Sequence, residues 1–273
     1  WGAPFMTDSQ KLAVVTGAAN GIGAGLSREA ARAGFRVLLA DCNEPALVRT
    51  AAAIPGAEYR VTDVTDPIQM TALADHADAL GGADLLFNNA GVMTTGFTWE
   101  IPAADWDRAI AINIGGTLNG ARAFISRMIA RGKPARIVNT ASVGGFLPSP
   151  LMAPYSATKF AIVAITEAMQ CELELLGAPV SISLLAPGPV LSEIFASPFG
   201  GAAHPATEQF VETMKEMTAL HGMGADAFAA LVFQGIARGD YWIIPQPEAL
   251  DPFLQARNEM IRERRQPTGS MTG

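Results

Sequence analysis

Apolar and polar positions change in blocks along most of the chain. Short apolar runs over 11–16 (KLAVVT), 35–40 (FRVLLA), 57–61 (AEYRV), 84–87 (DLLF), 136–140 (RIVNT) and 180–186 (VSISLLA) read as strands. Helical patterns fill the gaps, up to residue 33 and over 45–53, 67–80, 103–131 and 154–176. Pro67 suits a helix's first turn, and Gly34 and Gly81-Gly82 stop two of the helices. A further helix is expected over 225–238, a short strand over 241–244 (YWII) and a last helix over 247–264. Strands that are apolar throughout, alternating with helices, are the mark of a parallel sheet covered on both faces. The expected architecture is one doubly wound α/β domain, a Rossmann fold over 6–265.

Residues 191–224 break the rhythm. They are rich in small residues, Phe and Met, including Phe195, Phe199, Phe210, Met214, Met217 and Met223. An insertion after the C-terminal end of the sixth strand lies where such sheets bind ligands, so a mobile lid is expected. The competing interpretation is a surface excursion that packs on itself. The opening WGAPF reads as an appended remnant before Met6, and 266–273 as a disordered tail.

Composition narrows the function. Of 273 residues, 49% are hydrophobic and 16% charged, enough for a large core. A net charge of −7 argues against nucleic-acid binding, which needs a basic footprint. Cys42 and Cys171 form neither a disulfide framework nor a zinc spacing, and His76, His204 and His221 show no metal spacing, so no metal is expected. No apolar run reaches a membrane span, and no signal peptide is visible. A cytoplasmic protein without a membrane partner is the expectation.

The first strand runs into TGAANGIG, with Gly17, Asn20, Gly21, Ile22 and Gly23 between strand and helix. Glycines there permit a tight turn and close approach of a pyrophosphate to helix-terminal N–H groups. Asp41 ends the second strand about twenty residues on, where a carboxylate accepts from ribose hydroxyls and repels a 2′-phosphate. No arginine stands at 20 or 42, so NAD is favoured over NADP. Asp41 has a second interpretation as a helix N-cap. Asp63 and Val64, after the third strand, fall near the adenine, with a turn as the alternative for Asp63.

The stretch TASVGGFLPSPLMAPYSATK carries the chemistry. Ser142 ends the fifth strand, and Tyr155 and Lys159 lie at i and i+4 on one helix face. A hydroxyl, a phenol and an ammonium together can bind a carbonyl oxygen and move its proton. A free tyrosine has a pKa of about 10. A neighbouring ammonium and a positive nicotinamide ring are expected to lower it by about three units, roughly 4 kcal/mol of differential interaction. Asn113 stands mid-helix, where Asn is a poor helix former. Met93, Thr94, Val143, Gly144, Phe146, Leu147, Met152, Pro187 and the lid, including Met214, form an apolar candidate wall. It suits a hydrophobic secondary alcohol or ketone, aromatic ones included.

Gly17-x-x-x-Gly21-Ile-Gly23, Asn88-Asn89-Ala90-Gly91, Asn113, Ser142, Tyr155-x-x-x-Lys159 and Pro187-Gly188 stand in the order of the classical short-chain dehydrogenase/reductase family, which the chain resembles over 11–190. The resemblance implies a seven-stranded Rossmann sheet and a catalytic tetrad of Asn113, Ser142, Tyr155 and Lys159. It implies that Asn89, Ala90, Gly91, Pro187, Gly188 and Val190 line the cofactor. Lys159 and Tyr155 would meet the nicotinamide ribose, and a water near Asn113 would link to Lys159. It also implies homodimers or homotetramers assembled through 103–131 and 154–176. Ser192 stands where many members carry threonine. Three alternatives remain: an NADPH-dependent reductase of 3-oxoacyl chains, a non-catalytic nucleotide-sensing protein, and a methyl transferase. The acidic balance and Asp41 speak against the first, and the Ser-Tyr-Lys set against the others.

Overall fold

The computed structural model describes residues 10–195, 198–200 and 204–267. The proposed N-terminal remnant and start at Met6, the tail from 268, and lid residues 196–197 and 201–203 lie outside the described residues.

The expected strands form one parallel sheet. They are β1 (Leu12–Thr16), β2 (Arg36–Asp41), β3 (Glu58–Val61), β4 (Ala83–Asn88), β5 (Ala135–Thr140), β6 (Val180–Leu185) and β7 (Trp242–Ile243). Their order across the sheet is β3-β2-β1-β4-β5-β6-β7. Val14 stands opposite Leu38 on one side and Leu86 on the other. The order reverses between β1 and β4, and such a switch point opens a crevice at the strands' C-terminal ends.

Successive strand residues face opposite ways, so each strand feeds two cores. Leu12, Val14, Leu86 and Ile137 pack with Met70, Leu73, Phe124, Met128 and Leu173. These partners come from α3 (Pro67–Ala79), α5 (Gly116–Arg131) and α6 (Ala153–Leu175). Ala13, Val15, Phe87 and Val138 face the other way, onto Leu26, Leu47, Phe228 and Val232. Those belong to α1 (Gly21–Arg32), α2 (Glu44–Ala52) and α8 (Ala225–Arg238). Two buried faces explain why the inner strands read as unbroken apolar runs, while β3, at the sheet's edge, is mostly exposed.

The helix expected over 103–131 is not uniform. It comprises α4 (Ala103–Ala109), a π-helical segment Ile110–Gly115, and α5. The wider turn carries Asn113 into the protein, where it is fully buried. Its amide accepts from Val92 N at 2.9 Å and donates to Val92 O at 3.2 Å. A tertiary partner that mimics a peptide group thus holds a local geometry that propensity disfavours.

The lid region has structure of its own. A 3-10 turn, Glu193–Phe195, leads toward Phe199–Gly200, which pairs in parallel with Thr94–Thr95. Helix α7 (Pro205–His221) follows, with His204 Nδ1 accepting from Ala206 N at its start. Val190 and Met223 form a parallel bridge at the base of the insertion. The last expected helix begins as a 3-10 turn, Pro247–Ala249, and continues as α9 (Asp251–Arg262). Among the described residues no helix is long and apolar enough to cross a membrane.

Candidate active site

The site lies at the C-terminal ends of β1, β4, β5 and β6. Thr16, the last residue of β1, is 2% exposed, and its hydroxyl joins the strands. It donates to Phe87 O at 3.1 Å and accepts from Asn89 N at 3.0 Å and Ala90 N at 3.2 Å. Asn89 Nδ2 donates to Thr16 O at 3.1 Å. These bonds seat Asn89-Ala90-Gly91 directly against the glycine turn.

Gly17 has φ +65°, and a Cβ there would stand 2.8 Å from Ala90 Cα. A Cβ on Gly23 would fall 2.0 Å from Gly17 O. Only glycine lets this turn close, and it leaves bare backbone at the start of α1. That cradle fits a pyrophosphate, as the donor geometry of a helix N-terminus requires. Gly21 lies against Ser192, which brings the segment after Pro187-Gly188 to the same turn. Ile22 and Val190 pack with the core beneath.

Asp41 is held rather than free. Its Oδ2 accepts from Ala19 N at 3.0 Å and its Oδ1 from Asn43 N at 2.9 Å. It does not cap α2: Asn43 does, accepting from Ala46 N at 3.3 Å. Two bonds leave lone pairs on the carboxylate, so the group can still accept from a ligand. Asp63 Oδ1 accepts from Thr65 N at 2.9 Å and Thr65 Oγ1 at 2.8 Å. The turn role of Asp63 is therefore real. Its carboxylate is exposed at the same sheet end as Asp41. Val64 is buried, and its carbonyl accepts from Asn119 Nδ2 at 2.9 Å.

The structure brings Ser142, Tyr155 and Lys159 together, all buried. The Ser142 hydroxyl accepts from Gly144 N at 3.0 Å, and Gly144 lies between it and the Tyr155 ring. Lys159 Nζ lies 5.7 Å from the centre of the Tyr155 ring and donates to Thr140 O at 2.9 Å. Asn113 reaches this group through Thr158, donating to its hydroxyl at 2.9 Å, while that hydroxyl donates to Tyr155 O at 2.8 Å. Gly91 lies beside Asn113 Oδ1 and Lys159 Nζ.

Burial governs the electrostatics of the chain's own groups here. It pushes the Tyr155 phenol up, and the Ser142 hydroxyl only partly opposes this. Burial also brings Lys159 down to about 8. The chain's own groups therefore do not favour the phenolate, because both charged forms lose water under an apolar cover.

That cover is the candidate wall. Met93, Met152, Tyr155 and Phe195 form one buried cluster, with Ile194, Phe210 and Met214 packed against it. The expected Met93, Met152 and Met214 thus converge on the phenol, and Gly144 lies beside its ring. Phe146 is a correction. The 3-10 turn Val143–Gly145 carries it away to pack with Ala141, Ile162 and Leu184, its ring 6.0 Å from that of Trp242. The sequence-based reading left out Thr16, Thr140 and Thr158, which pass for ordinary strand-end and helix residues. It noted Phe195 and Phe210 only as part of the composition of the lid. Among the described residues no cluster of three His, Cys, Asp or Glu could hold a metal ion.

A short-chain doubly wound fold with a buried Ser-Tyr-Lys group defines a class, and comparison with known proteins agrees. The short chain dehydrogenase family profile matches residues 11–199, and the chain belongs to that family. It is 32% identical to a C alpha-dehydrogenase of Sphingobium sp. (strain NBRC 103272 / SYK-6) over 255 residues, 89% of this chain and 83% of the relative. A crystal structure of a short chain dehydrogenase/reductase from Burkholderia phymatum in complex with NAD matches with TM-score 0.90 at 35% identity, covering 96% of this chain and 98% of that one. A metagenomic short-chain oxidoreductase in complex with NADP matches with TM-score 0.61 at 33% identity, over 66% of this chain and 83% of that one.

The fall of Lys159 from 10.5 to about 8 corresponds to about 3 kcal/mol disfavouring the buried ammonium. A lysine whose folded pKa lies below its unfolded value binds its proton more weakly in the folded state. Stability therefore rises with pH between about 8 and 10.5 and is flat in this contribution below that window. Urea unfolding of wild type against Lys159→Met should show the difference in unfolding free energy growing in favour of wild type across that window. A pH-independent difference would contradict the burial of the charge.

Proposed function

We propose that the protein is an NAD-dependent oxidoreductase that interconverts hydrophobic secondary alcohols, aromatic ones included, and their ketones. The observation that carries this is a buried phenol, next to Ser142 and beside Gly144, under a wall of Met93, Met152 and Phe195. An apolar substrate shields that phenol from water, and the hydroxyl pair gives its oxygen two polar contacts. The name of the Sphingobium relative supports a dehydrogenase direction.

Ser142 binds the substrate oxygen and stabilises charge on it. Tyr155 donates the proton to that oxygen in reduction and takes it back in oxidation. Lys159, fixed by Thr140 O, presents its remaining protons to the ribose hydroxyls of the cofactor. Asn113 positions the group through Thr158 and Val92. The dinucleotide is held by the turn at Gly17, Gly21 and Gly23, by Asp41, and by the segments at Asp63-Val64, Asn89–Gly91 and Pro187-Gly188. When bound, the nicotinamide supplies the hydride acceptor or donor and, oxidised, a positive ring that favours the phenolate.

The preference for NAD rests on Asp41, whose carboxylate is held by two backbone N–H groups at the end of β2 and would repel a 2′-phosphate there. Homodimers or homotetramers built through α4–α5 and α6 are the proposed assembly, supported by exposed Ile110 and Leu175 on these helices. The proposed compartment is the cytoplasm, which suits two exposed free cysteines.

The test is reduction of NAD with a panel of aromatic and alicyclic secondary alcohols. Tyr155→Phe should retain dinucleotide binding and lose at least 100-fold in kcat. Residual turnover within tenfold of wild type would assign the proton to another group. In a separate comparison, Asp41→Ala should narrow the NAD over NADP ratio of kcat/KM at least tenfold. An unchanged ratio would remove Asp41 as the selector.

A further inference from the structure

We propose that Gln246 is a positioning residue that clamps the turn Pro187-Gly188-Pro189 and, through it, the base of the lid. The inference rests on the proposed site, because this turn links three parts of it. Pro187 O accepts from Val143 N at 3.0 Å, next to Ser142. Pro189 O accepts from Met223 N at 3.0 Å, where the insertion returns to the body. Leu191 N donates to Met223 O at 2.9 Å and closes the same short bridge. The lid that carries Phe195, Phe210 and Met214 therefore enters and leaves through this one turn.

Gln246 comes from the far end of the chain, just after β7. It is 4% exposed, and its Nε2 donates to Pro189 O at 2.8 Å. Pro189 O thus takes two donors, one from the lid's return and one from the C-terminal segment. The contact is close-fitting: a Cβ on Gly188 would lie 3.1 Å from Gln246 Oε1 and 3.1 Å from Ala249 Cβ. Gln246 Oε1 is buried with no hydrogen-bond partner. A buried orphan acceptor is destabilising, so a hydrocarbon of the same length would serve packing better. The amide's cost is explained by the one thing a hydrocarbon cannot do, which is to donate to Pro189 O. Gln246 belongs to neither the glycine turn nor the Ser-Tyr-Lys group, so its influence on catalysis passes through the lid base.

The test compares wild type with Gln246→Met and Gln246→Glu, which fill the same space and, ionised in the case of Glu, donate no hydrogen bond. Thermal unfolding identifies properly folded variants; Gln246→Met should match or exceed wild-type Tm. Amide hydrogen exchange in the full chain should accelerate about tenfold or more at Val143, Leu191 and Met223, with β1 and β4 unchanged. KM for a hydrophobic alcohol should rise about fivefold or more. Unchanged exchange at the three amides would overturn the clamp. Faster exchange with an unchanged KM would overturn the positioning role and leave a structural contact only. Were wild type to turn over no alcohol, the proposed function would fail, while the exchange comparison would still decide whether Gln246 holds the turn.

Discussion

The Lys159 ammonium sits in a buried site with one protein carbonyl, Thr140 O, in contact at 2.9 Å. Much of the structure serves that arrangement. Thr140 ends β5, so its carbonyl is held by strand pairing with β6 and by the seat of Ala141 N on Leu185 O. Tyr155 shares the helix face one turn earlier, and its phenol rises as the lysine falls, both driven by the same loss of water. A wet site would leave the two groups near their ordinary values. An apolar cover makes each sensitive to a charge or a hydroxyl brought in beside it, which is the condition under which proton transfer can be coupled to ligand binding.

A second layer holds the first. Thr16, Asn89 and Asn113 are short polar side chains whose bonds go mostly to backbone groups of other elements, with Thr158 and Thr140 tied to Asn113 and Asn89 side chain to side chain. Each is buried or nearly so, and a lost partner would leave a backbone group unpaired, at a cost of about 1–3 kcal/mol. Polar ends on hydrophobic strands thus let the same seven strands form a dry core below and an ordered crevice above. The lid, pinched at Pro189–Leu191 and Met223, adds the cover without disturbing that crevice.

How much of this could be read from residues alone follows from the range of the forces involved. The sheet was legible because both its faces are buried, which makes apolar runs such as KLAVVT and VSISLLA unmistakable. The glycine turn and the i, i+4 pair of Tyr155 and Lys159 are local in sequence, so their geometry was legible too. The π-helical segment at Asn113 was not, because Val92, a residue far away in the chain, stabilises it. Phe146 looked like wall because it follows Ser142 closely, yet one 3-10 turn redirects it toward Trp242. The burial that pushes the Tyr155 phenol up was not legible either, since a charged neighbour is visible in a sequence and the depth of burial is not. Gln246 carried no signal at all, since only the folded chain brings it to Pro189.

The central claim is that the buried Tyr155 phenol carries the substrate proton. The most direct test is the pH dependence of kcat for one hydrophobic alcohol and its ketone, measured in both directions on the same protein. Because burial keeps the phenol protonated, oxidation should rise with pH and reduction should fall. Each limb should show an apparent pKa that is absent in Tyr155→Phe, lower in the oxidative direction, where the cofactor ring is positive. Profiles that move in the same direction, or that survive unchanged in the variant, would contradict the account.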